Sequence, residues 1–219
     1  ATDLTGVTAA EAMAGLVELW HTTAGNTINV VIAGTNGSVN RSFVSTGVNG
    51  QVFKLLPTDI AAIGDGWSNV TFFQVDPAGN VSTGNGANFL LDTTPPTVLI
   101  TSSRAALKIG QTATITFTLS EPASSFTAAF ANVSGGTLSG FNGEGTSYSA
   151  TFTPTAGTEA TASISIPAAA FNDVAGNGNV ASNTLSIAVD TLAPSAPIVQ
   201  QATDLTGVTA AEAMAGLVE

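Results

Sequence analysis

The chain has 219 residues and a formal net charge of −11, from 15 acidic and only 4 basic residues. The four cations, Arg41, Lys54, Arg104 and Lys108, are scattered, so the sequence offers no surface for a phosphate backbone or an anionic membrane. With no cysteine, a disulfide framework, thiolate metal sites and cysteine nucleophiles are excluded.

Hydrophobic residues make up 44% of the chain and charged residues 9%, a balance that allows a buried core rather than disorder. No apolar run is long enough to suggest a membrane-spanning helix.

In chain order, the first signal is helical. Thr8-Ala9-Ala10-Glu11 fits a capping box, with Ala12, Met13 and Ala14 following before Gly15. This predicts one short helix near the N-terminus, on a connection. Strand signals dominate thereafter: segments 26–34, 39–46, 68–76, 112–120, 147–155, 161–167 and 184–190 are rich in Val, Ile, Thr and Phe and are bounded by Gly, Asn, Ser or Pro. Ile115, Phe117 and Leu119 alternate with Thr114, Thr116 and Thr118, which gives one core face and one wet face. The expected fold is all-β, as two tandem antiparallel β-sandwich domains.

Two boundaries have the same form. Asp92-Thr93-Thr94-Pro95-Pro96 and Asp190-Thr191-Leu192-Ala193-Pro194 each follow a strand and end in proline, which cannot donate to a ladder and stiffens the crossing. Pro96 and Pro194 lie 98 residues apart. A D-x-A-G-N turn precedes each boundary, at 76–80 and 173–177. The predicted domains are therefore 1–93 and 94–191, followed by a tail at 192–219. The tail explains itself: residues 202–219 repeat residues 1–18 without a change, an offset of 201 residues. The sequence reads as one period of a tandem array. In that phase, 192–219 is the incomplete start of the next repeat, and domain 1–93 is expected to lack its opening strand.

Catalysis finds little support. The single histidine, His21, lies beside Trp20 in an apolar stretch, and no nucleophile elbow, P-loop or dinucleotide motif occurs in strand-to-helix context. The carboxylates are more informative, because Ca²⁺ takes about six to eight oxygens from carboxylates, amides and backbone carbonyls. Candidate ligands are Asp76 with Asn80 and Asp173 with Asn177 in the two turns, Asp92 and Asp190 in the linkers, and Glu121 as a partner of Asp173. A turn held by an Asx bond alone is the plainer reading of the same residues. A strand running the length of a domain would separate the two aspartates of that domain. They meet if the turn shares their pole or if the next domain closes the gap. Asp59, Glu144, Asp3 and Asp204 are weaker candidates, and Asp65-Gly66 reads as a hairpin turn. Trp20, Trp67 and Phe72 could form a sugar platform, but core packing fits them better.

Residues 110–194, with D-V-A-G-N and D-T-L-A-P, resemble the bacterial Ig-like repeats of giant surface adhesins, including biofilm-associated and repeats-in-toxin types. The first half, from GVTAAEAMAGLVELWHTTAGNTINVVIAG to LLDTTPP, resembles another Ig-like subtype from such proteins. The resemblance implies a non-enzymatic extender, secreted or on the bacterial cell surface, whose partners are its neighbouring repeats. It also implies Ca²⁺ at the linkers, with Asp76, Asp92, Asp173 and Asp190 at the matching positions and Glu121 beside them. The alternative is a repeat that itself grips a glycan, a protein or a surface.

Overall fold

The computed structural model describes residues 6–199. The first half contains α1 (Ala9–Gly15), β1 (Val17–Leu19), β2 (Thr27–Ala33), β3 (Ser38–Val44), β4 (Gln51–Phe53), α2 (Pro57–Ile63), β5 (Gly66–Val75) and β6 (Asn85–Leu91). Four of these strands form an antiparallel sheet in the order β3-β2-β5-β6, and β1 pairs only with β4. Val7 bridges to Leu91 in parallel, ahead of α1.

The second half contains β7 (Val98–Ser102), β8 (Ala106–Lys108), β9 (Ala113–Leu119), β10 (Asn132–Ser134), β11 (Gly136–Glu144), β12 (Ser147–Pro154), β13 (Glu159–Ser165) and β14 (Leu185–Asp190). These strands build two four-stranded sheets, β11-β12-β9-β7 and β10-β13-β14-β8. Every named pair is antiparallel except β8 on β14.

Each half has its own core. One buried cluster draws on residues between Val7 and Leu91, the other on residues between Val98 and Val189. In β9 the apolar alternation does what period two requires: Ile115 and Phe117 are buried while Thr114 and Thr118 face water. Phe117, Phe126, Phe141, Tyr148 and Phe171 pack as an aromatic cluster at one end of the second core.

The Thr8 capping box is present. Thr8 Oγ1 accepts from Glu11 N at 3.2 Å, and Glu11 Oε2 accepts from Thr8 N at 3.0 Å. The second helix, α2, departs from the expectation of one helix. Pro57 opens it, and Asp59 Oδ2 accepts from Leu56 N at 2.8 Å. Asp59 also forms a fork with Arg41, at 2.8–3.0 Å, and is buried. An ion pair therefore occupies this weak metal candidate. The short strands β1, β4, β8 and β10 have three residues each, too few to show a period. Asp3, Asp204 and the copy at 202–219 lie outside the described residues.

Candidate metal centre

The two D-x-A-G-N turns are nearly identical locally. In the first, Asp76 N donates to Asn80 O, Asp76 Oδ1 accepts from Asn80 N at 2.8 Å, and Asn80 Nδ2 donates to Asp76 Oδ2 at 2.7 Å. In the second, Asp173 N donates to Asn177 O, Asp173 Oδ1 accepts from Asn177 N at 2.9 Å, and Asn177 Nδ2 donates to Asp173 Oδ2 at 2.9 Å. Gly79 and Gly176 take φ values of 91° and 110°, which explains glycine at that position.

Their surroundings differ. Nothing lies within 4 Å of a β-carbon placed on Gly79, and the Asp76 turn is exposed. The second turn docks onto the first domain. A β-carbon on Gly6 would lie 3.3 Å from Ala175 Cα, and one on Gly176 would lie 3.7 Å from Thr8 Cγ2. The small residues of the motif permit this close approach. Asn177 Nδ2 adds a second bond, to the backbone carbonyl of Asp92 at 3.0 Å.

β5 and β6 explain why Asp92 meets Asp173 rather than Asp76. Gly66 pairs with Leu91 and Phe72 with Asn85, so Asp76 and Asp92 lie at opposite ends of that hairpin. The following domain closes the gap. Ala123 bridges to Asp173, and Ser124 N donates to Asn172 O, which brings the segment after Glu121 against the turn. Buried Asn179 holds the same loop: its Oδ1 accepts from Ala170 N and Phe171 N, and its Nδ2 donates to the Pro167 and Val180 carbonyls. As a result, carboxylate oxygens of Asp92, Glu121 and Asp173 lie within 4.8 Å of one another. Asp173 is buried, and the other two are half-buried.

A fourth carboxylate, Asp65, lies close by. It forms no hairpin turn, contrary to the sequence reading. Asp65 Oδ1 accepts from Thr93 N at 3.0 Å and Thr93 Oγ1 at 2.8 Å, and Asp65 Oδ2 accepts from Thr94 Oγ1 at 2.6 Å. It therefore clamps the linker from the first domain.

Burial raises the carboxyl pKa of Asp92 above its ordinary value, and the charges of Asp173 and Asp65 add to the effect. Glu121 is raised for the same reason, burial first and then the charges of Asp92, Asp173 and Asp65. Hydrogen bonds from Asn80 hold Asp76 below its ordinary value.

A like-charge pair about 5 Å apart costs about 3 kcal/mol at an effective dielectric of about 20, against about 1 kcal/mol gained by one hydrogen bond. The cluster as ionised carboxylates therefore strains the junction unless a cation shares it. All its donors are oxygen, with no thiolate or imidazole, which suits a hard divalent ion.

Of the other sequence candidates, Asp190 is exposed at the end of β14, its Oδ1 accepting from Leu192 N at 3.2 Å. Glu144 is exposed at the end of β11. Neither joins an acidic group of three among the described residues. Trp20 and Trp67, better suited to the core by sequence, are 58% and 63% exposed, while Phe72 packs against the first core. Trp67 occupies an outward-facing position on β5, where a large ring is not expected from patterning alone.

The second sandwich is of the immunoglobulin class. Residues 92–189 match the family model described as a bacterial Ig-like domain. Among solved structures, the chain is similar to one from work on host cell surface retention of a 1.5-MDa bacterial ice-binding adhesin. That match has 18% identity and a TM-score of 0.36, over 84% of this chain and 60% of that one. The fibronectin(III)-like modules of Clostridium thermocellum CbhA match with 14% identity and a TM-score of 0.28, over 77% of this chain and 87% of theirs. Bacteroides ovatus SGBP-B, in complex with a mixed-linkage heptasaccharide, matches with 12% identity and a TM-score of 0.24, over 85% of this chain and 43% of its own. No curated protein matches the chain. No helix among the described residues is long and apolar enough to cross a membrane.

Proposed function

We propose that the chain is a structural extender unit of a bacterial cell-surface adhesin, stiffened by Ca²⁺ at the domain junction and without catalytic activity. The observation that carries this reading is the Asp92–Glu121–Asp173 cluster, which joins the residue directly after β6 to two loops of the next domain. An ion held there would bridge both domains and neutralise carboxylates that otherwise repel. The unit would then act as a spacer, holding an adhesive region away from the cell for biofilm or surface attachment. Its immediate partners are neighbouring copies in the same chain. Extracellular calcium suits such a site, because affinities on the order of 10⁻⁴–10⁻³ M suffice there.

Small-angle scattering in calcium and in chelator tests the reading. The expected result is a single extended profile with Ca²⁺ and a broader distribution of shapes without it, together with a lower melting temperature. If chelation changes neither shape nor melting, the reading fails.

Exposed Trp67 favours a second reading, direct glycan binding. Its neighbours on the outer face of β5 and β6, Asn69, Thr71 and Asn88, are uncharged and linked by side-chain hydrogen bonds. Glycan binding that disappears in Trp67→Ala and is indifferent to calcium would select this reading over the spacer.

A further inference from the structure

The two halves share the strand order next to the linker, although β3 joins the sheet of β2 whereas β11 joins the sheet of β12 and β9. In the second domain, β7 follows the linker, pairs with β9 and buries Val98 and Ile100, which are 5% and 1% exposed. It also packs against β14, closing the side of the sandwich. The chain then forms β8 in parallel with the final strand before it enters β9. The first domain repeats this order from that point on. Val7 bridges in parallel to Leu91, β1 takes the place of β9, and β4 takes the place of β12 as its partner. The counterpart of β7 is absent among the described residues, so β1 has one free edge.

Beside that edge lies an open groove of about 370 Å³ between β1 and the β5–β6 hairpin. Its apolar lining includes Val17, Leu19, Ile28, Phe72 and Ala87. These belong to or pack against the first core. The groove therefore occupies the place that β7 fills in the second domain.

We propose that this groove takes the segment 194–199 of another copy of this sequence, added as an edge strand on β1. Sequence order identifies the occupant. Residues 202–219 repeat 1–18, so in a tandem array the residues directly ahead of the sequence that forms Val7, α1 and β1 are those that end at Gln201. The segment begins at Pro194, which matches Pro96 ahead of β7. Ala196 and Ile198 then fall at the positions of Val98 and Ile100, two apart and on one face of an extended strand.

Among the described residues the segment pairs with no strand. Ile198 and Val199 are 84% and 78% exposed, among the most exposed large apolar residues described. The segment also cannot fold back onto its own first domain. β14 starts near the junction and carries the chain to the far end of the second domain, whereas the groove lies at the start of β6, at the far end of the first. An eight-residue extended reach of about 28 Å does not span two domains end to end. The complementarity is of the strand-addition kind, with backbone bonds to the free edge and alternate side chains in the groove. Each such domain of the array would thus be closed by residues that follow the preceding Asp190-Thr191 linker. This rests on the repeat but not on bound calcium.

The test uses the full chain with PSAPIVQQ, the sequence of 194–201, added directly ahead of Ala1, in chelator so that no ion contributes. The control carries the same addition with the change Ile198→Asp made in the added copy. The native lead-in is expected to raise the melting temperature of the first domain by roughly 5–10 °C and to slow amide exchange in β1, and the aspartate version to do neither. An unchanged melting temperature, or equal gains from both lead-ins, overturns the proposal.

Discussion

Two turns with the same sequence pattern and nearly the same hydrogen bonds end up with different possibilities. At 76–80 the aspartate carboxylate serves only its own loop, and the turn faces open space. At 173–177 the same loop is pressed against Gly6 and Thr8, its asparagine reaches the Asp92 carbonyl, and its aspartate joins two other carboxylates. The motif determines a turn. Only a neighbouring domain makes that turn a junction, because the extra oxygens come from β6's end and from the β9–β10 connection.

The largest expected effect tests the carboxylate itself. Asp173→Asn should lower calcium affinity at least tenfold by titration calorimetry and destabilise the second domain by about 1–3 kcal/mol, since a buried acceptor set is disturbed. Asp76→Asn should leave calcium affinity unchanged. Equal losses from the two would erase the distinction.

Next comes the close approach. Ala175→Leu places bulk against Gly6 and should cost about 1–3 kcal/mol of coupling between the domains, seen as two separate melting transitions in place of a shared one. Ala78→Leu, exposed on the other turn, should stay within about 0.5 kcal/mol of the parent in the same scan.

A smaller effect is expected at asparagine. Asn177→Ala loses bonds on both sides of the junction and should cost about 1–2 kcal/mol in chemical denaturation. Asn80→Ala, confined to an exposed loop, should cost only a few tenths.

The smallest effect is in pH, and its sign differs between the sites. Asp76 is held below its ordinary pKa by Asn80, so its contribution is present above the unfolded value and is lost as pH falls through the folded one. Asp92 and Glu121 are held above theirs by burial and neighbouring charge. Their contribution is fullest below the ordinary carboxylate range and is lost as pH rises through their raised values. In chelator, mild acidification from neutral pH should therefore tighten the junction while the 76–80 turn is unaffected until lower pH. Carboxyl chemical shifts and amide exchange followed through the titration would show both, and a junction that loosens on acidification would contradict this account.

Much of this was legible in the chain. The alternation in β9 and the fit of segments 26–34, 147–155 and 184–190 to β2, β12 and β14 come from period-two burial, which is local. The Thr8 capping box is likewise complete within four residues. What escaped notice depends on distant partners. Asp65 resembles a turn residue until Thr93 and Thr94 are brought to it. Asn179 looks like one of many loop asparagines until four backbone groups converge on its amide. Pro57 with Asp59 is a helix-start signal that could have revealed α2.

By itself the sequence determined a cysteine-free, acidic, all-β chain, with turns, prolines and strands recurring at matched spacings, because these follow from residue chemistry over a few positions. The tertiary structure decided which aspartate meets which. It set Asp92 and Glu121 against Asp173 and left Asp76 and Asp190 apart from any such group among the described residues, because strands carry neighbouring residues to opposite poles and only domain packing brings separate poles together.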